Sequence, residues 1–452
     1  MRILLHSPSG DSGGLAYLMQ KEGAQVDMFI KDPAYRRTME GIVPHVETIE
    51  EGLRNKPDFV IFDLNGDGEV ADSIRTKGFR VVGGSALADK LEMDRSYGGK
   101  VAKQYGLHVP KTTEFKDLNA AIAFVKSGKK AYAIKIDNNK SESSSYVAQS
   151  SEEMVDYLSY SKEEGTISPS DTFILQEVIH GAEISTELWF SNGEPIYPGN
   201  STFEVKKFLA GELGQRTGAE TSLVFHYGNG SKIIEKTIRK LFPLMRHSKW
   251  TGPVDVNCIV SEDDYEPYFL EWTPRLGYSA IYAFTAILGL PISEFFSKVS
   301  RGTFTIPFKH LWGSALKLSI PPYPCEIEGK KATQETYGKT EGIRLKGTFK
   351  DFVPIDVKKG RKTEFEAAGT SCILGECIGR GSSMLEAWRA SQKVFKSIEV
   401  PNGQGRYTDG SEDAWKRVLK LRKMGYSDIP APSGSPEGQG THYPFEKAAS
   451  PV

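Results

Sequence analysis

The chain opens with a short apolar run, "RILLHS", then the glycine-rich "SGDSGGLAYLMQKEG", then a second run, "QVDMFI". This pattern predicts strand, turn, helix and strand, and "DFVIFDL" and "FRVVGG" continue the alternation as an open α/β layout. One helix is predicted over "SALADKLEMDRSYGGKVAKQYG"; "HVPKTTEF" is then extended, because Pro110 disfavours helix at the residue before it. The helices "LNAAIAFVKSG" and "SEEMVDYLSYSKEEG", with the strands "AYAIKID", "TFILQEVI" and "EISTELWF", make a small α+β unit. From "EPIYPGNSTFEVKKF" to "YFLEWTPR", strands surround one helix, "GSKIIEKTIRKLFPLMRH", and the region closes in a hairpin. "SALKLSIPPYP" and "GTSCILGECIG", with the helices "SMLEAWRASQKVFKSI" and "SEDAWKRVLKLRKMG", form a last α/β unit, and no repeat period is visible.

Polar positions inside these strands carry the chemistry. Side chains alternate across a strand, so "GPVDVNCIV" places Asp255 and Asn257 on one face, and "YFLEWT" places Glu271 with Thr273. A hairpin symmetric about Asp264 sets Asn257 opposite Glu271. Such oxygens suit a hard cation such as Mg²⁺, and Arg275 just beyond offers a planar fork to an anion; a solvent-facing hairpin is the competing reading. In "AYAIKID", Tyr132, Ile134 and Ile136 share one face and Lys135 and Asp137 the other, which suits either a phosphate contact or solvent. "ILQEVIHGAEISTELWF" adds Glu177, then Glu183, Ser185 and Glu187 on a single face. The turn "SGDSGG" leads into a helix and either cradles an anion or is simply tight; its spacing is not that of a dinucleotide-binding turn.

Composition narrows the partners. The chain has 452 residues and a formal net charge of -1, which gives no electrostatic case for nucleic acid or an anionic membrane and makes small molecules the expected substrates. Length alone allows two to four domains of about 150 residues. Four cysteines without CxxC spacing suit reduced thiols in a cytoplasmic protein, with Cys372 and Cys377 expected to be packing residues. The first apolar run is too short for a signal peptide, and no stretch is long enough to span a bilayer. The end, "APSGSPEGQGTHYPFEKAASPV", has the composition of a solvated tail.

A lysine in a strand, then "QEVI-HG-E", then a "D-N" strand paired with an "E-x-x-x-R" strand resemble the ATP-grasp ligases. With "KLEMDRS", "HVP", "KLSIPPYP" and "GTSCILGECIGRGSSMLEAWRAS", the chain up to about residue 426 is similar to the phosphoribosylamine–glycine ligase family. The resemblance implies an α/β and α+β multidomain protein: a Rossmann-like α/β domain over 1–110, ATP-grasp subdomains over 111–190 (the lid) and 191–311, a small C-terminal α/β domain over 312–426, and a flexible tail over 427–452. It implies an ATP-dependent carboxylate–amine ligase working through an acyl phosphate, as a monomer or homodimer, with ATP and Mg²⁺ as cofactors and Mn²⁺ as a substitute.

By the same resemblance, Arg275 and Lys135 would be catalytic. Arg95, Lys135, Glu177, Val178, Ile179 and Glu183 would hold ATP, and Glu271, Asn257 and Thr273 the metal. Gly10, Gly13, Gly14, Lys207, Thr217, Gly218, Arg275 and Gly277 would face substrate. The chain departs from the family at the phosphate flap, "NNKSESSSYV", which has no glycine and leaves Lys140 and serines to substitute. It departs again at Thr273, where the family has asparagine, at Tyr278 and Ser279, which replace an acid–proline pair, and in "GQRTGAETS", which keeps only part of a glycine-rich substrate segment. A ligase for another amino acid or amine, and a catalytically silent nucleotide-binding protein, are the alternative readings.

Overall fold

The computed structural model describes residues 1–128, 130–136, 145–168, 171–228, 230–325 and 340–431. The polar run 137–144 and the end of the tail from 432 lie outside the described residues.

Four parallel strands begin the chain, in the spatial order Gln25–Ile30, Arg2–Ser7, Phe59–Phe62, Val81–Val82. Their apolar runs are buried on both faces, as a parallel sheet with crossover helices requires. The helix Gly13–Lys21 follows the first strand; a Cβ on Gly13 would meet Met39 Cγ at 2.5 Å and one on Gly14 would meet Val353 Cγ1 at 2.5 Å, so both positions need glycine for close approach.

The single helix expected over "SALADKLEMDRSYGGKVAKQYG" is two, Ala86–Met93 and Arg95–Gln104, because Asp94 leaves helical geometry and its carboxylate accepts the Tyr97 N–H at 2.7 Å as an N-cap. "GSKIIEKTIRKLFPLMRH" is likewise broken. It forms Lys232–Lys236, a 3₁₀ turn Ile238–Leu241 and Phe242–Ser248, with the break at Thr237, whose hydroxyl donates to the Ile233 carbonyl at 2.6 Å, and Pro243 starting the last piece.

A separate four-stranded antiparallel sheet (Thr112–Phe115, Phe173–Glu177, Tyr132–Ile136, Ser145–Val147) packs against Leu118–Gly128 and Ser151–Glu164 with its own core of Tyr132, Ile134, Leu158, Phe173 and Leu175. The largest element is an eight-stranded antiparallel sheet in the order Pro267–Thr273, Gly252–Ser261, Gly181–Ser191, Glu194–Leu209, Leu213–His226, Trp312–Ser319, Ile373–Gly381, Phe352–Pro354. It runs without a break into the C-terminal strands. The helix Met384–Lys396 covers one face there, where Ser314 meets Ser391 at 2.9 Å. Lys317 lies on the opposite face, because its alternation partner Ala315, not Ser314, shares its side. Cys372 and Cys377 are buried.

Candidate active site

The hairpin Gly252–Thr273 turns at Asp263 and Asp264, where Asp264 Oδ1 accepts the Glu266 N–H at 3.0 Å. Asn257 pairs with Glu271, in the register that symmetry about Asp264 predicts. One residue further the register slips: Cys258 pairs with Phe269, and Leu270 bulges out of the ladder. The Leu270 carbonyl accepts the Lys135 ammonium at 2.9 Å, so the small sheet reaches the large one beside Glu271.

Period-two alternation then fills one face of the large sheet. Asn257 Nδ2 donates to Glu183 Oε1 at 3.2 Å and faces Glu271 Oε1 at 3.5 Å, while its Oδ1 is buried without a partner among the described residues. Lys206 stands between Glu204, at 3.3 Å, and Glu183, at 3.6 Å. Arg95, delivered by the helix break at Asp94, binds Glu271 Oε2 at 2.6 Å.

The charges decide the titration. Burial would raise the pKa of Glu271, but Arg95, Lys206 and Lys135 outweigh it and hold the carboxylate well below its usual range. Glu183 behaves the same way: Lys206, Arg417 and Arg216 overcome burial and depress its pKa. Burial lowers Lys135 to about 8, with Glu271 opposing. Lys206 goes the other way, since Glu204, Glu183 and Glu271 more than offset its burial and raise its pKa. The result is a set of fixed cations around ionised oxygens, an arrangement that can hold the phosphates of a nucleotide.

The remaining expected residues are placed as follows. Arg275 is half-buried with its fork already engaged: Glu92 Oε1 lies 3.0 Å from Nη2, Nη1 donates to the Leu276 carbonyl at 3.0 Å, and the guanidinium stands over the Tyr278 ring at 4.7 Å. Glu177 pairs with Lys130 at 3.0 Å at the end of its strand, and the Val178 N–H donates to the Ala131 carbonyl at 3.4 Å, with Ile179 following in the link between the sheets. Thr273 pairs with Asp255 on the hairpin.

Lys207 stands apart from this cluster. Its ammonium donates to the Gly214 carbonyl at 3.0 Å on the exposed side, and Lys206 is the one that enters the cluster. The alternation Phe203 and Val205 inward, Glu204 and Lys206 on the other face, carried that signal. Thr217 donates to the Lys206 carbonyl at 2.9 Å, with Gly218 beside it, and a Cβ on Gly277 would meet Ala280 Cβ at 3.0 Å.

The glycines of the turn "SGDSGG" pack closely against their neighbours. Gly10 adopts φ +81°, its N–H donates to Ser7 Oγ at 2.9 Å, and Gly13 and Gly14 are sealed by neighbours. The charged groups there are Asp11 and Asp63, the latter accepting Ser7 and Ser12 hydroxyls at 2.5 Å each, and burial lifts the Asp63 pKa to about 6.

A second polar row was not anticipated. Thr221 pairs with Leu316 and Lys317 with Glu376, so Glu220, Lys317 and Glu376 lie side by side across three strands on the face that carries Glu204. Tyr323 bridges them, donating to Glu220 Oε1 at 2.7 Å and accepting Lys317 at 2.9 Å, while Ser279 donates to Glu376 Oε1 at 2.5 Å.

With this geometry in view, known proteins of the same shape can be compared. The phosphoribosylamine–glycine ligase of Thermotoga maritima superposes with a TM-score of 0.67 at 16% identity, over 90% of this chain and 99% of that one. The phosphoribosylamine–glycine ligase of Helicobacter pylori J99 is 21% identical over 350 residues, 73% of this chain and 76% of the relative. The chain has the ATP-grasp fold and is similar in sequence to phosphoribosylamine–glycine ligases.

The trifunctional purine biosynthetic protein adenosine-3 of Gallus gallus is 25% identical over 345 residues, which are 74% of this chain and 32% of that protein. The biotin carboxylase domain of Hydrogenobacter thermophilus 2-oxoglutarate carboxylase, solved with MgADP, ADP and bicarbonate, superposes with a TM-score of 0.62 at 11% identity, over 95% of this chain and 96% of that one. No protein-family model matches the chain. The cluster around Glu271 lies where the small sheet meets the large one. Among the described residues, no helix is long and apolar enough to cross a membrane.

Proposed function

We propose that the chain is an ATP-dependent carboxylate–amine ligase of the phosphoribosylamine–glycine ligase type, joining an amino acid and an amine to an amide with release of ADP and phosphate. The observation that carries this reading is the convergence on Glu271 of Lys135 from the lid, Arg95 from the helix after Asp94 and Lys206 from the main sheet. Phosphoryl transfer asks a protein for positioning and charge stabilisation rather than a nucleophile, and three half-buried cations around ionised carboxylates supply that.

In this account Lys135 and Arg95 hold the nucleotide phosphates, Glu183 the ribose, and the backbone at Val178 and Ile179 with Glu177 the adenine edge. Arg275 leaves Glu92 to meet the acyl phosphate. The residues present fit a magnesium ion: the Glu271 carboxylate and the unpartnered Asn257 Oδ1 are adjacent hard oxygen donors, with Thr273 on the same strand face. When bound, the metal would neutralise phosphate oxygens; Asn257 and Glu271 would orient it, and the lid would exclude water.

The test is magnesium-dependent ADP release with glycine and phosphoribosylamine made in situ, omitting each component in turn. The account expects release that needs ATP, a carboxylate and an amine together and that disappears in Glu271→Ala. Nucleotide binding with no turnover on any carboxylate and amine, and with biological activity retained in Glu271→Ala, would establish the silent reading instead.

A further inference from the structure

Two of the departures from the family, Ser279 and the "GQRTGAETS" segment that contains Glu220, meet in one place: the row Glu220, Lys317, Glu376. Ser279 is bonded to Glu376, and Glu220 shares Tyr323 with Lys317. All three charged side chains are buried, at 0%, 5% and 1% exposure. The row holds two carboxylates and one ammonium, and that ammonium is 3.9 Å from Glu220. Glu376 Oε2 and Glu220 Oε2 have no hydrogen-bond partner among the described residues.

An unmatched carboxylate oxygen in a buried row wants a donor that the protein does not supply. More acid surrounds it. Asp11 lies within electrostatic reach of Lys317 and Arg275, and Tyr282, whose hydroxyl donates to the Asp11 carbonyl at 2.9 Å, lies within reach of Glu376, Asp11 and Asp63. Burial pushes Glu376 up to about 7, with Lys317 and Ser279 opposing, and raises Glu220 and Asp11. A phosphate brought here would face four carboxyl groups against Lys317 and Arg275. An ammonium group would find two free acceptor oxygens.

Resting on the ligase reading, we infer that the Glu220–Lys317–Glu376 row is the acceptor-amine site and that the amine it takes is an ammonium-bearing molecule without a phosphate group. The proximity of Arg275 to Asp11 links this site to the acyl phosphate: the amine waits on the sheet face beyond the arginine. Glu376 and Glu220 set specificity by charge, and Lys317 keeps the empty site from carrying an uncompensated acid pair. The acceptor would thus differ from the phosphorylated amine that phosphoribosylamine–glycine ligases are named for.

The test uses the full chain loaded with magnesium and a non-hydrolysable ATP analogue, titrated calorimetrically with ethanolamine and with O-phosphoethanolamine, which differ only by the phosphate. Ethanolamine binding that exceeds O-phosphoethanolamine binding, weakens about tenfold or more in Glu376→Gln, and tightens in Lys317→Met, with analogue affinity unchanged in both variants, supports the site. Stronger binding of O-phosphoethanolamine, no ethanolamine binding to the loaded wild-type chain, or an unchanged ethanolamine affinity in Glu376→Gln overturns it. Failure of the analogue itself to bind strikes the ligase reading and is read before any amine is added.

Discussion

The two ends of one sheet face hold similar acids in opposite states. Around Glu271, the cations Arg95, Lys135 and Lys206 overcome burial, and the pKa values of Glu271 and Glu183 are depressed. Around Glu376, burial prevails over the single Lys317, and Glu376, Glu220 and Asp11 are all raised. The side-chain type is alike, but Glu271 and Glu183 keep about a third of their surface exposed and sit among several cations, whereas Glu376 and Glu220 are fully buried, with Lys317 as the cation they share. On the proposed reading, one end meets anionic phosphates and the other a cation, which is the division a ligase needs between nucleotide and amine.

Removing the acid at each end separates them most sharply. Glu271→Ala should cut steady-state ADP release by roughly 10²–10³, since it deletes a group whose oxygens act where charge develops. Comparable turnover in the variant would deprive the cationic end of its assigned role.

Stability should report the opposite titration. Glu376 has its folded pKa raised to about 7, above the unfolded value of 4.5, so its contribution is fully present below pH 4.5 and is lost as pH rises through 7. Glu376→Gln escapes that loss. It should match the wild type near pH 4.5 and exceed it above pH 8 by about 3 kcal/mol at most, read from urea unfolding at the two pH values. A gap that widens on acidification would invert the comparison.

At the nucleotide end, Lys206→Ala should lower kcat/KM for ATP by about 10–100-fold, while Lys207→Ala changes it by about twofold or less. Equal losses would mean that strand alternation does not choose between the neighbours. Lys135, at about 8, predicts a smaller effect: affinity for an ATP analogue should fall as pH climbs past 8, by up to about tenfold, and Lys135→Arg should flatten the decline. Least of all, Asp94→Ala should cost about 1 kcal/mol of stability through the lost cap and loosen Arg95.

Much of the nucleotide end was readable from the chain. Asn257 opposite Glu271 follows from two alternating strands and an acidic turn, because local geometry leaves one symmetric register. The hydrophobic alternation also held the information that Lys206 and not Lys207 enters, although two adjacent lysines conceal it. Asp94 is a capping residue inside an apparently continuous helix, and Pro243 interrupts another; both breaks have ordinary physical signatures that helical periodicity overrides.

The acidic end was not readable in the same way. Glu220, Lys317 and Glu376 come from strands brought together by antiparallel pairing over long sequence separations, and each alone is an unremarkable polar position in an alternating strand. Only the register, Thr221 with Leu316 and Lys317 with Glu376, makes them a row. The glycine turn is a further case. From the chain it was either an anion cradle or a tight turn, and the contacts of Gly13 and Gly14 give both glycines a packing reason that only the fold reveals.

The central claim is that ATP phosphorylates a carboxylate before an amine displaces the phosphate, and oxygen-18 tests it most directly. Glycine labelled in its carboxylate is incubated with ATP, magnesium and a panel of amines, phosphoribosylamine and ethanolamine among them, and the released phosphate is weighed by mass spectrometry. The account predicts phosphate that carries one labelled oxygen, formed only with an amine present and lost in Glu271→Ala. Phosphate released without label would mean that ATP is merely hydrolysed, and would contradict the acyl-phosphate mechanism.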